Sequence, residues 1–185
     1  MKKILFFLLI LSFISACVFQ PFSVPDFPYD LMLQSADLPA GFEHVNGEFP
    51  QVPGGFSHLV AYSDDPGTVG KGMSHQLTIY PDIDTAEASF ANWEREWFTN
   101  SWTTPSITYT PLDNTDQFEL KCMDVQINAY LAQSCTFLQQ HNNLIVLVLV
   151  NVDNTSINWD QFMETLQKLD ERLPAHDVIL SMPSE

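Results

Sequence analysis

Cysteine offers the widest chemistry of any residue type in this chain, and it occurs at positions 17, 122 and 135. A thiol can be acylated, can pair as a disulfide, or can act as a nucleophile or metal ligand once it is ionised. Cys122 and Cys135 are not part of a Cys-x-x-Cys motif and no histidine adjoins either of them, which disfavours a redox or metal role. Their spacing instead suits opposite positions on a β-hairpin centred near Asn128 and Ala129.

The first cysteine follows a segment with the parts of a signal peptide. Lys2 and Lys3 give a positive start, residues 4–14 form an apolar run, and Ser15 and Ala16 are small residues directly before the cysteine. The run is too short to span a bilayer, because a spanning helix needs about 20 apolar residues. The segment therefore predicts export.

Residues 14–17, Ile-Ser-Ala-Cys, resemble the lipobox of bacterial lipoproteins. The resemblance implies cleavage between Ala16 and Cys17 and a diacylglyceryl group on the Cys17 sulfur, which would anchor the chain to the membrane because stable anchoring takes two or more acyl chains. Val18 follows, where family members held at an inner membrane often carry Asp, so an outer membrane is favoured if the cell has one. The alternative is an ordinary secretory signal cut nearby, with Cys17 lost or left as a free thiol.

Acylation of Cys17 would leave Cys122 and Cys135 as a pair in a compartment where disulfides persist. An even number of cysteines in an exported chain favours pairing. We therefore expect a structural disulfide between Cys122 and Cys135.

The charge of the chain is strongly negative. The 185 residues carry a formal charge of −16, and 45% of them are hydrophobic, a globular composition. Loss of Lys2 and Lys3 with the signal peptide would leave five of the 7 basic residues against 23 acidic ones, a charge of about −18. Such a field repels phosphate backbones and anionic headgroups, so we expect no nucleic-acid binding. Solubility explains the charge most simply, and attraction of cations or of a basic partner is the alternative.

Hydrophobic patterns predict several strands. Their expected positions are residues 56–64, 73–80, 107–109, 118–125, 130–139 and 144–152. Within the last, residues 144–150 are all apolar and rich in β-branched side chains, which predicts a central strand buried on both faces.

Two helices complete the predicted fold. The first has Asp84 as its expected N-cap and an aromatic stripe from Phe90 to Trp97 that we assign to the core. The second is expected to be capped by Asn158 or Ser156. The fold class predicted is a single α+β domain, with about five to six mainly antiparallel strands and both helices on one face of the sheet.

The expected organisation has four parts. Residues 1–16 are the signal peptide, residues 17–30 the lipidated N-terminus with a proline-rich tether, residues 31–174 the domain, and residues 175–185 a C-terminal tail.

A second resemblance concerns the domain itself. Residues 34–42, Gln-Ser-Ala-Asp-Leu-Pro-Ala-Gly-Phe, look like the opening of extracytoplasmic sensor-like lipoprotein domains, including the sensor domain outside the membrane in some mycobacterial kinases. Cys122, the strand around Ser134 and Cys135, and the helix end at residues 171–173 are in the same style. The resemblance implies a fold that binds a ligand or partner and brings no catalytic residues. Those kinase sensors can carry two disulfides, whereas only one is possible here.

Other candidate motifs have simpler structural explanations. Residues 67–72 are glycine-rich, but they lack the spacing and the Ser/Thr of a phosphate-binding loop and precede a predicted strand. His58 and His75 lie on adjacent predicted strands and could face each other, and hydrogen bonding is their expected role rather than metal binding. We find no motif for catalytic, metal-binding or cofactor-binding residues.

We expect a non-enzymatic domain that is lipid-anchored through Cys17 on the extracytoplasmic side of a bacterial membrane. It would bind a ligand or protein partner at an edge or concavity of the sheet that the helices leave uncovered, with no residues predicted there. One alternative is a structural or assembly lipoprotein that docks an envelope complex. Another, less favoured, is a hydrolase without a local motif.

The lipid anchor can be tested directly. Cells expressing the chain and grown with labelled palmitate should incorporate label into the wild type, and Cys17→Ala should remove it because the acylated sulfur is gone. Cys122→Ala, which removes a different cysteine, should leave the label in place. Label retained by Cys17→Ala would contradict the anchor.

Overall fold

The computed structural model describes residues 27–67, 71–112, 115–127, 130–153, 155–173 and 180–181. Residues 1–16, which the sequence predicts to be a signal peptide, and Cys17 lie outside these residues. The described elements, in chain order, are β1 (Glu43–Glu48), β2 (Phe56–Ser63), β3 (Met73–Ile79), α1 (Ile83–Trp97), β4 (Gln117–Ile127), β5 (Tyr130–His141), β6 (Leu144–Val152) and α2 (Trp159–Asp170). No helix of the described part is long and apolar enough to cross a membrane.

The six strands form one antiparallel sheet in the order β1-β2-β3-β6-β5-β4. Two meanders, β1 to β3 and β4 to β6, meet where β3 pairs with β6. The predicted α+β class with a single, mainly antiparallel sheet is confirmed. The sheet places β6 among the inner strands, and because residues 144–150 are all apolar, both of its faces need cover.

The two helices pack against opposite faces of the sheet. Val146 and Val148 share one core cluster with Phe162 of α2, whereas Ile145 shares the other with Phe90 of α1. The expectation that both helices lie on one face is therefore wrong. The physical reason is that successive side chains along a strand point to opposite faces of the sheet. A strand that is apolar at every position therefore exposes half of its apolar side chains unless both faces are covered.

Residues 27–42, which we call the N-terminal segment, cover the rest of the face on which α2 packs. Leu33 and Phe42 of that segment are buried in the same cluster as α2. The Arg172 guanidinium, just after α2, makes a salt bridge of 2.6 Å to Asp37. On the sheet side, the Leu33 N–H donates to Nδ1 of His75 at 3.1 Å. A single helix of 12 residues cannot cover six strands, so an irregular segment attached to both the sheet and the helix end does the rest.

The strand expected at residues 107–109 does not form. Tyr109 instead packs edge-on against Phe137, with ring centroids 5.3 Å apart, and its hydroxyl donates to the Asp170 carboxylate. Gln139 donates to the same carboxylate at 2.8 Å. These contacts hold the segment against α2 and the sheet through side chains, without a backbone ladder.

The helix starts follow capping chemistry, with one correction. The carboxylate of Asp82, not Asp84, accepts the hydrogen bond from the Thr85 N–H at 2.7 Å and caps α1. Asn158 caps α2 as one of the two expected residues, and Gln161 returns the bond to form a capping box.

Cys122 and Cys135 face each other across β4 and β5 and form a disulfide. The backbone N–H and C=O of Cys122 bond outward to Thr103, both at 2.8 Å, so the cysteines are a non-hydrogen-bonded pair. Such pairs bring the two strands closest together, and here the Cα atoms are 4.1 Å apart. Both side chains are buried in the core beneath α2.

The disulfide should contribute measurably to stability. We expect the double variant Cys122→Ala, Cys135→Ala to lose roughly 3 kcal/mol of unfolding free energy, because the unfolded chain is no longer constrained by the closed loop. Urea denaturation measures the loss. Cys17→Ala is the matched control and should unfold as the wild type does. A double variant as stable as the wild type would contradict the assignment.

Candidate functional site

One face of the sheet is left partly open. Helix α1 covers the end near Tyr80 and Ile145, and at the other end of this face Ala61, Ser74 and Leu149 are only half-buried. These three side chains lie next to one another because the register pairs Ala61 with Ser74 and Ser74 with Leu149. A cavity of about 340 Å³ lies above them, and we refer to it as the sheet cavity.

The sheet cavity combines apolar and polar groups. Leu149 and Ala61 contribute apolar surface, and Ser134 and Asn151, paired on β5 and β6, contribute a hydroxyl and an amide. Lys71 is the charged residue among those that line the cavity. Ligand sites are usually concave pockets with a volume of at least about 300 Å³ and a few polar groups that fix the orientation of the ligand. The volume of the sheet cavity is that of a small ligand site.

Short side chains and a fixed loop base create the space. The Ser63 hydroxyl donates to the Lys71 carbonyl at 2.6 Å and accepts from the Asp65 N–H at 3.0 Å. A Cβ on Gly72 would lie 2.4 Å from the Tyr62 carbonyl oxygen, so this close approach of two backbones requires glycine. These contacts hold both ends of the loop between β2 and β3, which stands beside the cavity. Residues 68–70 of this loop are outside the described part.

The two histidines lie on the opposite face of the sheet from the cavity. His58 pairs with Leu77, and His75 pairs with Val60, so the histidines are diagonal neighbours. His58 stacks on Phe49 at 4.4 Å, and burial, followed by the nearby His44, lowers its pKa. Within the described residues no group of three or more His, Cys, Asp or Glu side chains is arranged to hold a metal.

His75 is a buried hydrogen-bond acceptor. Complete burial, then the neighbouring His58 and Arg172, lower its pKa to about 3. Its neutral ring accepts the Leu33 N–H through Nδ1, and this bond is one of the contacts that attach the N-terminal segment to the sheet. The role of His75 in this structure is therefore structural.

No residue of the sheet cavity was identified from the sequence. Ser74, Gln76 and Thr78 form the polar side of one strand. The alternation of polar and apolar residues does not show which of these three side chains a helix covers. In the fold Gln76 and Thr78 are buried and bond to Ser57 at 2.8 and 2.9 Å, whereas Ser74 lies beyond the helix. The position of α1 makes the difference, and no local pattern encodes it.

Comparisons with family models, curated proteins and solved structures found no match to this chain.

His75 should make the domain acid-sensitive. In the unfolded chain the pKa of His75 is about 6.5, and in the folded protein it is about 3. Between these two pH values the imidazole is protonated in the unfolded state and neutral in the folded state. The contribution of His75 to stability is complete above pH 6.5 and is lost as the pH falls toward 3, by about 1.4 kcal/mol per pH unit.

His75→Asn offers the Leu33 N–H an uncharged acceptor that does not titrate. We expect its unfolding free energy to fall less between pH 7 and pH 4 than that of the wild type, measured by urea denaturation at each pH. His44→Asn, at an exposed histidine on β1, should change the slope less than His75→Asn does, because His44 supplies only the smaller cause of the lowered pKa of His58. Equal slopes in all three proteins would contradict this role for His75.

Proposed function

We propose that this chain is a lipid-anchored extracytoplasmic protein whose domain binds a ligand in the sheet cavity without catalysing a reaction. The observation that carries the proposal is the combination of an apolar floor, three serine hydroxyls, an amide and one ammonium group around about 340 Å³ of open space. The ligand expected from this lining is small and of mixed polarity, with a neutral or anionic group near Lys71.

Anchoring through Cys17 would hold this site close to a membrane. Phe27 is buried in the core, so the domain begins no later than that residue. The intervening residues 18–26 could extend by at most about 30 Å, at roughly 3.4 Å per residue. The proposed location is thus the envelope of a bacterium, on the extracytoplasmic side, with a ligand or partner that is present there.

A ligand is favoured over a docked envelope complex by the distribution of exposed apolar side chains. The exposed large apolar side chains of the described part are divided among several elements: Val45 on the edge strand β1, Ile107 and Leu112 between α1 and β4, Phe118 on β4, and Leu131 near the tip of the β4–β5 hairpin. Large exposed apolar patches mark protein-docking surfaces, and these residues do not all belong to one element. The assembly role stays as the alternative, and a hydrolase as the less favoured one.

A variant that fills the cavity tests the proposal. Ser74→Phe places an aromatic ring on the open face without changing the core beneath α2. A ligand found by NMR screening of amino acids, sugars, nucleosides and short peptides should shift resonances of the cavity residues in the wild type. We expect Ser74→Phe to weaken its binding at least about tenfold, because the ring occupies the ligand's volume.

Ala88→Phe places the same ring on the exposed side of α1 and should bind the ligand as the wild type does. A ligand whose resonance shifts lie away from the cavity, or whose affinity ignores Ser74→Phe, would refute the site. Reproducible turnover of a substrate by the purified protein would refute the absence of catalysis.

A further inference from the structure

The sheet cavity runs across the strands rather than along one of them. The register places Ala61, Ser74 and Leu149 in one row across β2, β3 and β6, and Ser134 of β5 and Val45 of β1 also line the cavity. These five strands are consecutive neighbours in the sheet. Neighbouring strands lie about 4.8 Å apart, so the cavity is roughly 19 Å long. An elongated ligand fits this shape better than a compact one.

Two hydroxyl groups on the floor of the sheet cavity are available to a ligand. Ser74 and Ser134 are half-buried, and neither side chain has a hydrogen-bond partner among the described residues. The Ser63 hydroxyl, by contrast, is engaged by the loop between β2 and β3. A hydrocarbon chain on this floor would remove the free hydroxyls from water without replacing their hydrogen bonds, which costs free energy. The ligand should therefore carry donors and acceptors along its length.

Apolar side chains lie between and beside these hydroxyls. Leu149 is on β6, between the strands of Ser74 and Ser134, and Ala61 pairs with Ser74 on its other side. A carbohydrate would supply hydroxyl groups to the serines but little apolar surface to Leu149 and Val45. A peptide carries backbone amides and apolar side chains together, and about five extended residues, at about 3.3 Å each, span most of this length. The lining therefore favours a peptide.

The charge of the lining is opposite in sign to that of the chain. The chain has 23 acidic and 7 basic residues, yet the described residues that line the sheet cavity include Lys71 and no acid. The salt bridges of the described part are made by the basic residues Lys121, Lys168 and Arg172. The Lys71 ammonium is therefore not neutralised by an ion pair within that part. One ammonium balances one negative charge, and further negative charge on the ligand would be repelled by an acidic protein.

We propose that the sheet cavity binds an extended peptide with a single carboxylate, an inference that rests on the ligand site proposed above. The carboxylate pairs with the Lys71 ammonium. Backbone amides of the peptide bond to the Ser74 and Ser134 hydroxyls, and its apolar side chains pack on Leu149. The carboxylate is either the C-terminus of the peptide or an acidic side chain within it, and the experiment distinguishes these two sources.

The test is isothermal titration calorimetry of the full-length protein in detergent, at constant ionic strength, with N-acetylated pentaalanine as the free acid and as the C-terminal amide. The wild type should bind the acid saturably and at least about tenfold more tightly than the amide, because a charge-assisted contact is lost with the carboxylate. Lys71→Gln should bind both peptides alike, and Lys71→Arg should keep the preference. Only the Lys71 carbonyl bonds to Ser63, so these side-chain changes preserve the base of the loop.

An amidated alanine peptide with one central aspartate tests the second source of the carboxylate. Tighter binding of this peptide than of the free acid would assign the contact to an acidic side chain, and weaker binding would assign it to the C-terminus. Either result requires the loss of preference in Lys71→Gln.

Arg95→Gln, at an exposed residue of α1, removes the same charge as Lys71→Gln and is the matched control. It should keep the preference for the carboxylate, whereas Ser74→Phe should abolish binding of all three peptides. No saturable binding of the carboxylate peptides, or a preference that survives Lys71→Gln, would overturn the peptide proposal. If another class of ligand then binds and is displaced by Ser74→Phe, the proposed function stands without it. If no compound binds in a way that Ser74→Phe prevents, both fail.

Discussion

The burial of β6 on both of its faces is the constraint from which the rest of the architecture follows. Leu144 to Val148 are almost completely inaccessible to solvent, although alternate side chains point in opposite directions. Both faces of the sheet must therefore carry cover. Helix α1 supplies it on one face and α2 on the other, and the N-terminal segment fills the area that α2 cannot reach. If one face of the sheet were exposed to solvent, about half of the apolar side chains of β6 would be exposed with it.

Irregular segments cover a sheet only if something holds them there, and buried carboxylates do so in this fold. Asp170, at the end of α2, accepts hydrogen bonds from Tyr109 and Gln139, which ties residues 105–112 to both a helix and a strand. Asp37 pairs with Arg172 and attaches the N-terminal segment to the end of α2. Each carboxylate is satisfied by several donors, so its burial fixes a single arrangement of the chain around it.

The cavities lie where this cover stops. On the α1 face the helix leaves a floor of small side chains beside Lys71, and on the α2 face the hairpin leaves an acidic recess beside Trp159. The two recesses differ in the charged residues that line them as well as in position. Anchoring at Cys17 would present both to whatever diffuses along the envelope, and the acidic surface would favour cations over anions everywhere except beside Lys71.

The sequence by itself determined the features that depend on neighbours along the chain. Alternation of side chains predicted β2 and β3, hydrophobic patterns predicted β4 and β5, and seven consecutive apolar residues predicted β6. The aromatic stripe predicted α1, and the number and spacing of the cysteines predicted the pairing of Cys122 and Cys135. Only the tertiary structure decided which face each helix covers, that the exposed residues Glu43–Glu48 form an edge strand, and that residues 107–109 do not form one. It alone placed Ser74 in the open. These outcomes rest on strand register and on contacts between residues far apart in the chain, whose energies local periodicity does not contain.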